Sequence, residues 1–485
     1  MRVLFLDLDT LRPDHLGCYG YLRDTSPNID RIARDGVRFD RYYCPNAPCL
    51  PSRASLVSGR YGIRNGVLGH GGTVADMRLY GRGRDFRSQY DENGLWYQFR
   101  KAGFHTVSVS TFAERHSAWW FNAGFHEWYN VGAKGDESAE EVIPIAARWL
   151  REHADEDNWL LHINLWDAHT PYRAPAWYGE PFAGQPLPPF YTPERYEQQK
   201  YMAGPYTLQD QNMYDGNADP RYPRQLGSAG SYEDMRHILD AYDTGIRYMD
   251  EQLGTLFQIL EEKGVFDGTA VIITSDHGES LGELGIYSEH AVADEAVSHI
   301  PMIIRWPGCR HGTVDRAFHA NVDLLPTVAE LLQLPEYEEW DGKSYAKTLL
   351  DGSEEGLPYV VLTQCAHVFQ RAVRFGRYLY IRTYHCGYHL FDEEMLFDIE
   401  TDPYETRDIK TEYPGICDQG AHLLASWVDQ MLQKTPPCAD PLWTAIEEGA
   451  PHHCQGQLAG YCVRLEATGR AEAAAALRVK YPREL

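Results

Sequence analysis

Short apolar runs alternate along the chain with segments that have the hydrophobic spacing of amphipathic helices. The segment SPNIDRIARDG places Ile29, Ile32 and Ala33 on one helical face and ends at Gly36. Strands that are apolar at consecutive positions are typical of parallel sheets covered by helices on both faces. The runs of this kind are VLFLDLD, HTVSVS, WLLHINLW, AVIITSD and PMIIRWP. The pattern predicts an α/β fold with a doubly wound, mostly parallel sheet.

The character of the sequence changes after Gly352. The runs YVVLTQ, RYLYIRTY and EMLFDI predict a small antiparallel sheet, and helical patterns follow near residues 413–434 and 464–478. Residues 178–232 are rich in Pro, Tyr, Gln and Gly, which predicts an insertion or loop. We therefore expect a large α/β domain over residues 1–352 and a C-terminal α+β subdomain over residues 353–485.

Polar side chains follow several of these strands. Asp9, His169, Asp276 and His277 each come shortly after an apolar run, and Asp7 lies on the same side of its strand as Asp9. Ligands of open α/β sheets bind beyond the carboxyl ends of the strands. Carboxylates with an imidazole predict a divalent cation, calcium first, with manganese or magnesium as alternatives. Taken alone, each aspartate is better explained as a cap of the following turn.

The charge balance and the cysteines limit the partners and the compartment. The 485 residues include 45 Lys and Arg against 70 Asp and Glu, a formal net charge of −25, which argues against nucleic acid and membrane as partners. No stretch has transmembrane length, and the first apolar run meets Asp7 too early for a signal peptide. Ten cysteines without such a signal indicate free thiols and a cytoplasmic protein. The oligomeric state stays open, a homo-oligomer included.

The pentapeptide CLPSR, Cys49 to Arg53, has the features of a helix start. Pro51 suits a first helical turn, and the apolar stretch that follows closes at Gly59. Cys49 would then stand at the positive end of a helix dipole, where thiolates and anions are stabilised. The segment therefore predicts a nucleophile for a negatively charged substrate, and an ordinary buried cysteine before a helix is the alternative.

Motifs spread over most of the chain carry a family signal. They are DTLRPDHLGCYG, SPNIDRIARDGVRFDRYYCPNAPCLPSRASLVSGR, WDAHTPY, TSDHGE, IPMIIRWPG and MLFDIETDPYET. In this order they resemble the type I (formylglycine-dependent) sulfatase family, and the similarity extends to about residue 410. The resemblance implies an alkaline-phosphatase-like fold, a divalent metal, and oxidation of Cys49 to formylglycine by a separate maturation enzyme.

The implied modification removes a chemical difficulty of a thiol nucleophile. A covalent intermediate on the thiol must later be cleaved by water, whereas a hydrated aldehyde attacks with one hydroxyl and expels sulfate by re-forming the aldehyde. By resemblance, Asp9, Asp276 and His277 hold the metal beside the group made from Cys49. Arg53 stabilises that group and the sulfuryl oxygens.

The chain departs from the family pattern at the metal site and near the leaving group. Thr10 stands where many members have a second metal aspartate, a loss for which Asp7 would compensate as a ligand. His169 matches the family histidine that contacts the sulfate and assists the leaving group. His290 falls where most members have lysine, so we expect it to bind substrate and take part in catalysis.

The family's Gly-Lys-Trp-His element is absent from the corresponding region, which instead offers Thr111, Arg115 and His116. His116 either replaces the missing base, binds substrate, or has a surface or core role. Arg115 is expected to bind the group that carries the sulfate. Trp119 and Trp120 would add aromatic surface for a sugar, or belong to the core.

Two further segments have unusual composition. A basic cluster contains Arg78, Arg82, Arg84 and Arg87, and either funnels a polyanionic substrate or forms a solvated loop. A segment near the carboxyl terminus has metal-like content without an established spacing; its candidates are His452, His453, Cys454 and Cys462.

Taken together, the sequence predicts a sulfatase that cleaves a sulfate ester on a sulfated small molecule or saccharide. The alternative is a phosphonate monoester hydrolase or phosphodiesterase of the same superfamily, favoured by the lost aspartate and Gly-Lys-Trp-His element, while CLPSR and CYG favour a sulfatase. A non-catalytic carbohydrate-binding homologue is a hypothesis of another class, opposed by the retained nucleophile, arginine, carboxylates and histidine.

Overall fold

A computed structural model describes residues 1–78, 92–214, 217–434 and 439–485 of the chain. Arg82, Arg84 and Arg87 of the basic cluster lie outside the described residues. Across the described ranges, no helix combines the length and the hydropathy required to cross a bilayer.

Strands occur from the amino terminus to residue 398. They are β1 (Arg2–Leu8), β2 (Val37–Phe39), β3 (Tyr42–Tyr43), β4 (Asn46–Ala47), β5 (His105–Val109), β6 (Glu127–Tyr129), β7 (Trp159–Leu165), β8 (Thr269–Thr274), β9 (Ser280–Leu281), β10 (Tyr287–Glu289), β11 (Met302–Arg305), β12 (Thr313–Asp315), β13 (His319–Ala320), β14 (Tyr359–Gln364), β15 (Phe369–Phe375), β16 (Tyr378–His385) and β17 (Glu394–Asp398).

Helices are interspersed with the strands and follow the last of them. They are α1 (Pro27–Arg34), α2 (Cys49–Ser58), α3 (Gly62–Asn65), α4 (Leu95–Lys101), α5 (Phe112–Arg115), α6 (Ala139–His153), α7 (Pro193–Gln199), α8 (Tyr232–Glu262), α9 (Glu295–Ser298), α10 (Leu324–Leu331), α11 (Ala346–Asp351), α12 (Pro414–Lys434), α13 (Pro441–Glu448), α14 (Leu458–Ala467) and α15 (Ala471–Lys480).

The large sheet has eight strands in the order β12-β2-β11-β8-β1-β7-β5-β6. Its strand pairs are parallel except those of β11, which runs antiparallel to both β8 and β2. Alternate side chains of β1 enter two different cores. Leu4 and Leu6 pack with apolar residues of α6 and α8, whereas Val3 and Phe5 pack with those of α2 and α4. The predicted doubly wound, mostly parallel α/β class is therefore confirmed.

A second sheet has five strands in the order β17-β16-β15-β14-β4. The four strands from the C-terminal region pair antiparallel, as the runs after Gly352 predict, and β4 joins β14 in parallel from the amino-terminal part of the chain. The large and small sheets are thus linked by the segment just before α2, and the boundary at residue 352 stays a prediction.

The helical pattern predicted at 464–478 is interrupted. α14 ends at Ala467 and α15 begins at Ala471, with Gly469 between them at a positive φ of 80°. A residue in that left-handed conformation does not continue a helix. The turn also brings Arg470 onto Asp210, because its Nη1 lies 2.6 Å from Asp210 Oδ2. The insertion at 178–232 and the C-terminal helices therefore pack together.

The centre of the large sheet positions the candidate site. β1 lies between β8 and β7, with Asp7 opposite Thr274 and Leu8 opposite Leu165 in the parallel register. Residues that follow these three strands must therefore emerge at one edge of the sheet.

Candidate functional site

Four of the predicted metal-site residues meet at this edge. Candidate ligand atoms of Asp9, Cys49, Asp276 and His277 lie within 4.8 Å of one another, and all four residues are buried. Asp9 follows β1, while Asp276 and His277 follow β8. Cys49 begins the wholly buried helix α2, and its Sγ lies 3.1 Å from His277 Nε2. The structure therefore brings these four residues together at one edge of the sheet, where the sequence predicts them.

Arg53 lies one helical turn after Cys49 and reaches three carboxylates. Its Nε and Nη2 donate to the two oxygens of Asp7 at 2.7 and 3.0 Å. Its Nη1 lies 3.0 Å from Asp9 Oδ2 and also donates to Asp276. The guanidinium is fully buried, with its Cζ 4.7 Å from the Phe112 ring centroid. These carboxylates raise the pKa of Arg53 against its burial, so the arginine is a fixed cation.

The charges and unsatisfied atoms of this group fit a divalent cation. Three buried carboxylates face one arginine, which leaves an excess of negative charge where the cost of burial is high. Burial raises the pKa of Asp276 to about 6, with repulsion from Asp9 adding to it and Arg53 opposing it. Asp9 Oδ1 accepts from the Thr10 hydroxyl at 2.8 Å, while the buried Asp9 Oδ2 has the ion pair with Arg53 Nη1 at 3.0 Å but no hydrogen bond. A cation beside Asp9 and Asp276 would offset the excess negative charge and would give Asp9 Oδ2 a ligand.

Asp7 does not belong to this group. Both of its oxygens are engaged by Arg53, and its Oδ2 also lies 3.6 Å from Nε2 of His162 on the neighbouring strand β7. The idea that Asp7 compensates for Thr10 as a metal ligand therefore has no support in its contacts. Thr10 supports the site differently, because its hydroxyl orients Asp9 and its amide donates to Asp276 Oδ1 at 3.2 Å.

The Cys49 thiol is not a stabilised thiolate, contrary to the expectation from its place at a helix start. Burial raises its pKa well above the ordinary value, and the charges of Asp9 and Asp276 raise it further. Arg53 opposes this effect without overcoming it. Two nearby carboxylates outweigh a helix terminus, whose favourable field amounts to about half a charge. With no cation beside it, the unmodified Cys49 thiol is a poor nucleophile.

Cys49 lines a cavity of about 500 Å³. The cavity is lined by the predicted residues Cys49, Arg115, His116, His169 and His290. Trp119 and Trp120 do not line it, because Trp119 is 67% exposed and Trp120 packs against Phe112 and Phe121 in the core. The core alternative for Trp120 is therefore correct, and neither tryptophan forms a sugar platform in this cavity.

His169 and His116 lie on the cavity wall. His169 Nδ1 is within hydrogen-bond distance of the Thr170 carbonyl, which leaves Nε2 as the nitrogen available to a ligand. Burial lowers the pKa of His169, with Asp9 opposing the shift. Burial, followed by the charges of Arg115 and Arg53, lowers the pKa of His116 to about 3. His116 Nε2 is buried without a hydrogen bond to the protein, so it is available to a ligand.

The sequence reasoning missed several cavity residues. They are His70, Tyr206, Gln225, Glu289 and His367. His452 and His453 were singled out for metal content but line the same cavity, where His453 Nε2 lies 3.1 Å from His70 Nδ1. The neighbouring cysteines face elsewhere, because the sulfurs of Cys454 and Cys462 lie against the carbonyls of His367 and Ala474. The sequence is rich in histidine, but the cavity histidines have no regular spacing that would mark them as one group.

Comparison with known proteins identifies the family. The family model described as Sulfatase matches residues 2–334. The chain belongs to the sulfatase family. This family consists of sulfuric ester hydrolases, and its matched segment carries Asp9, Cys49, Asp276 and His277.

Individual sulfatases and related structures match most of the chain. The choline-sulfatase of Rhizobium meliloti is 25% identical over 451 residues, which cover 81% of this chain and 79% of that protein. The N-acetylglucosamine-6-O-sulfatase of Bacteroides thetaiotaomicron is 24% identical over 471 residues, covering 85% and 83%. The crystal structure of a phosphonate monoester hydrolase of Agrobacterium radiobacter superposes with a TM-score of 0.71 at 21% identity, covering 89% of this chain and 96% of that one. At this identity the structural match shows a shared alkaline-phosphatase-like fold.

One departure from the sulfatase pattern lies where the cavity meets the metal site. The His290 ring centroid is 4.1 Å from that of His277 and 5.2 Å from that of His169. Burial lowers the pKa of His290, and the neighbouring His277 lowers it further. At this position, where the family resemblance predicts a lysine, the chain has a buried histidine.

Proposed function

We propose that this sulfatase hydrolyses a sulfate ester on a small molecule or saccharide, with Cys49 converted to formylglycine by a separate maturation enzyme. The observation that carries the proposal is the position of Cys49. It starts a buried helix, lies 3.1 Å from His277, and is surrounded by Asp9 and Asp276.

The proposed nucleophile and cation follow from the same residues. Formylglycine would supply a hydrated aldehyde, one hydroxyl of which attacks sulfur while the other permits release of sulfate. Asp9, Asp276 and His277 would hold a divalent cation, which when bound would polarise the sulfuryl group as a Lewis acid. We propose calcium, because two carboxylates are hard ligands, with manganese or magnesium as alternatives that the imidazole admits.

The remaining residues act on the substrate and its leaving group. Arg53, fixed by Asp7, offers positive charge to the anionic sulfuryl oxygens. His169 lines the cavity, where its Nε2 would hold the proton that the departing oxygen needs. The anionic substrate itself favours protonated imidazole, against the burial that lowers the pKa of His169. Arg115 and His116 would bind the group that carries the sulfate.

The substrate class is supported by the cavity and by the relatives. A volume of about 500 Å³ is in the range of small-ligand sites. Similar proteins act on choline sulfate and on N-acetylglucosamine sulfate, as their names state. We also propose a cytoplasmic location, which is supported by the nine described cysteines, all free thiols.

A phosphonate monoester hydrolase is the second candidate function, because a protein of that name shares the fold and because Thr10 and His290 depart from the sulfatase pattern. One preparation, with its formylglycine content measured by mass spectrometry, should be assayed on a nitrophenyl sulfate, a phosphonate monoester and a phosphodiester. We expect the highest kcat/KM on the sulfate. A higher value on the phosphonate would assign the second function, and no turnover by fully converted protein would favour a carbohydrate-binding homologue.

A further inference from the structure

A second group of ligand-type side chains lies on the cavity wall next to the nucleophile. It consists of Glu289, at the end of β10, His290, which follows it, and His367, which comes just before β15. Candidate ligand atoms of the three residues lie within 4.8 Å of one another, and all three side chains are buried and line the cavity. All three residues lie outside the segments directly after β1 and β8 that carry Asp9 and Asp276.

The distances within this group suit a small cation. Glu289 Oε1 lies 3.0 Å from His290 Nε2 and 3.6 Å from His367 Nε2. Ligands placed about 2.1 Å from a tetrahedral zinc ion are separated from each other by about 3.4 Å. The two observed separations bracket this value, and the two histidine nitrogens lie within 4.8 Å of each other.

The surroundings of the group favour a cation. Glu289 is buried, and the basic nitrogens within 4.0 Å of it in the described part of the chain belong to His290 and His367, with no lysine or arginine among them. Burial raises the pKa of Glu289 and lowers the pKa values of both histidines. Among the described residues, no lysine or arginine is there to compensate the charge of the buried carboxylate, and a metal ion would supply that charge.

A further carboxylate orients one of the histidines. His290 Nδ1 lies 3.5 Å from Oε2 of the buried Glu279, while His290 Nε2 is directed at Glu289. A carboxylate on the outer nitrogen is the arrangement that fixes the tautomer and orientation of a metal-bound histidine.

We propose that Glu289, His290 and His367 form a second metal site, for Zn²⁺, with its fourth position open to the cavity. Two histidines and a glutamate are the ligand set of open zinc sites, in which water or a substrate oxygen takes the fourth position. The ligand from the substrate would be a hydroxyl or carboxylate oxygen of the group that carries the ester. The site does not require formylglycine and so does not depend on the proposed function. It occupies His290 Nε2, which leaves His169 to donate the proton.

The test measures zinc binding in a Cys49→Ser background, because the Cys49 thiol forms other potential zinc groups with neighbouring histidines. Protein saturated with calcium is dialysed against micromolar zinc, and bound metal is counted by mass spectrometry. We expect one zinc ion per chain. Glu289→Gln and His367→Ala should each weaken zinc binding at least tenfold, since each removes a ligand. The matched control His452→Ala changes another cavity histidine outside the group and should keep the zinc.

Cobalt provides a readout of the ligand set. In the same background, Co²⁺ should give the visible absorption of a four- or five-coordinate ion, and Glu289→Gln and His367→Ala should abolish it. Circular dichroism and thermal melting establish that each variant is folded, and two independent variants guard against the failure of one. No zinc in the background protein, zinc retained in both ligand variants, or equal loss in His452→Ala would overturn the proposal. Turnover of nitrophenyl sulfate by formylglycine-containing protein with calcium and no zinc would leave the proposed function standing.

Discussion

Asp7 binds Arg53 through both carboxylate oxygens, at 2.7 Å from Nε and 3.0 Å from Nη2, with both side chains fully buried. This ion pair fixes the guanidinium plane and directs the remaining Nη1 toward Asp9 and Asp276. Asp9, which follows strand β1, and Asp7, which lies within it, therefore have different roles. Asp9 is available to a cation, while Asp7 holds Arg53 in place.

Replacing Asp7 should separate these roles. Asp7→Asn keeps the shape and one acceptor but weakens the two-point contact with Arg53, so we expect kcat to fall about 10–100-fold with calcium affinity preserved. Calcium titration by calorimetry and steady-state kinetics measure the two effects. A parallel loss of calcium affinity would make Asp7 a metal ligand after all.

Replacing Asp276 should reduce metal binding, unlike the replacement of Asp7. Asp276→Ala removes one of few anionic ligands, so we expect metal content to fall and activity to drop by at least ~100-fold. Metal analysis after gel filtration gives the content, with Asp7→Asn as the matched control for loss of a buried carboxylate near Arg53. Normal occupancy with near-normal turnover in Asp276→Ala would remove Asp276 from the metal site.

His169 should matter most for poor leaving groups. A sugar or alkyl oxygen needs a proton as it departs, while a nitrophenolate hardly does, and general acid assistance is worth ~10²–10⁴-fold. We expect His169→Ala to slow hydrolysis of a sugar sulfate by that factor and nitrophenyl sulfate far less. His290→Ala should affect both substrates alike if Nε2 of His290 is a metal ligand. Equal losses on both substrates in His169→Ala would show that His169 binds the sulfuryl group without donating the proton.

Stability should depend on pH through Asp167, a buried residue whose Oδ2 has no hydrogen bond. Burial raises its pKa to about 7, although the Ala139 amide donates to Oδ1 at 3.0 Å and opposes the shift. Because the folded pKa is above the unfolded value, the stabilising contribution is complete below about pH 4 and is lost as the pH rises through 7.

Urea unfolding at pH 5 and pH 8 measures this effect. Over that interval Asp167 should cost the native protein roughly 2–3 kcal/mol that Asp167→Asn does not lose, so the difference in unfolding free energy between the two proteins should change by that amount. An identical pH dependence in both proteins would mean that Asp167 titrates normally in the folded state.

The arrangement of the metal-site residues was predictable because parallel strands bring their carboxyl ends to one edge. Asp9 and Asp276 each follow a strongly apolar run, and Cys49 starts a helix whose boundaries are marked by Pro51 and Gly59. The pKa values of these residues could not be predicted from the sequence in the same way. The pKa of the Cys49 thiol depends on its burial and on how closely two carboxylates approach it. The hydrophobic periodicity of the sequence does not contain those distances.

The cavity wall was not predictable in the same way. Glu289, His367 and His453 come from distant parts of the chain and are brought together by packing of the second sheet and the C-terminal segment. No local pattern marks such residues, because their contacts depend on tertiary structure. Likewise, Gly469 ends a helix that the apolar spacing alone would continue, and the turn is held by Arg470 on Asp210.

The mass of the peptide that contains Cys49 tests the central claim most directly. Protein produced together with a formylglycine-generating enzyme should be digested and compared with protein produced without it. Conversion of the thiol side chain to an aldehyde lowers the peptide mass by about 18 Da, through loss of one sulfur and two hydrogens and gain of one oxygen at that carbon. We expect turnover of nitrophenyl sulfate to rise in proportion to the converted fraction. Full turnover by protein whose Cys49 is entirely unmodified would contradict the account.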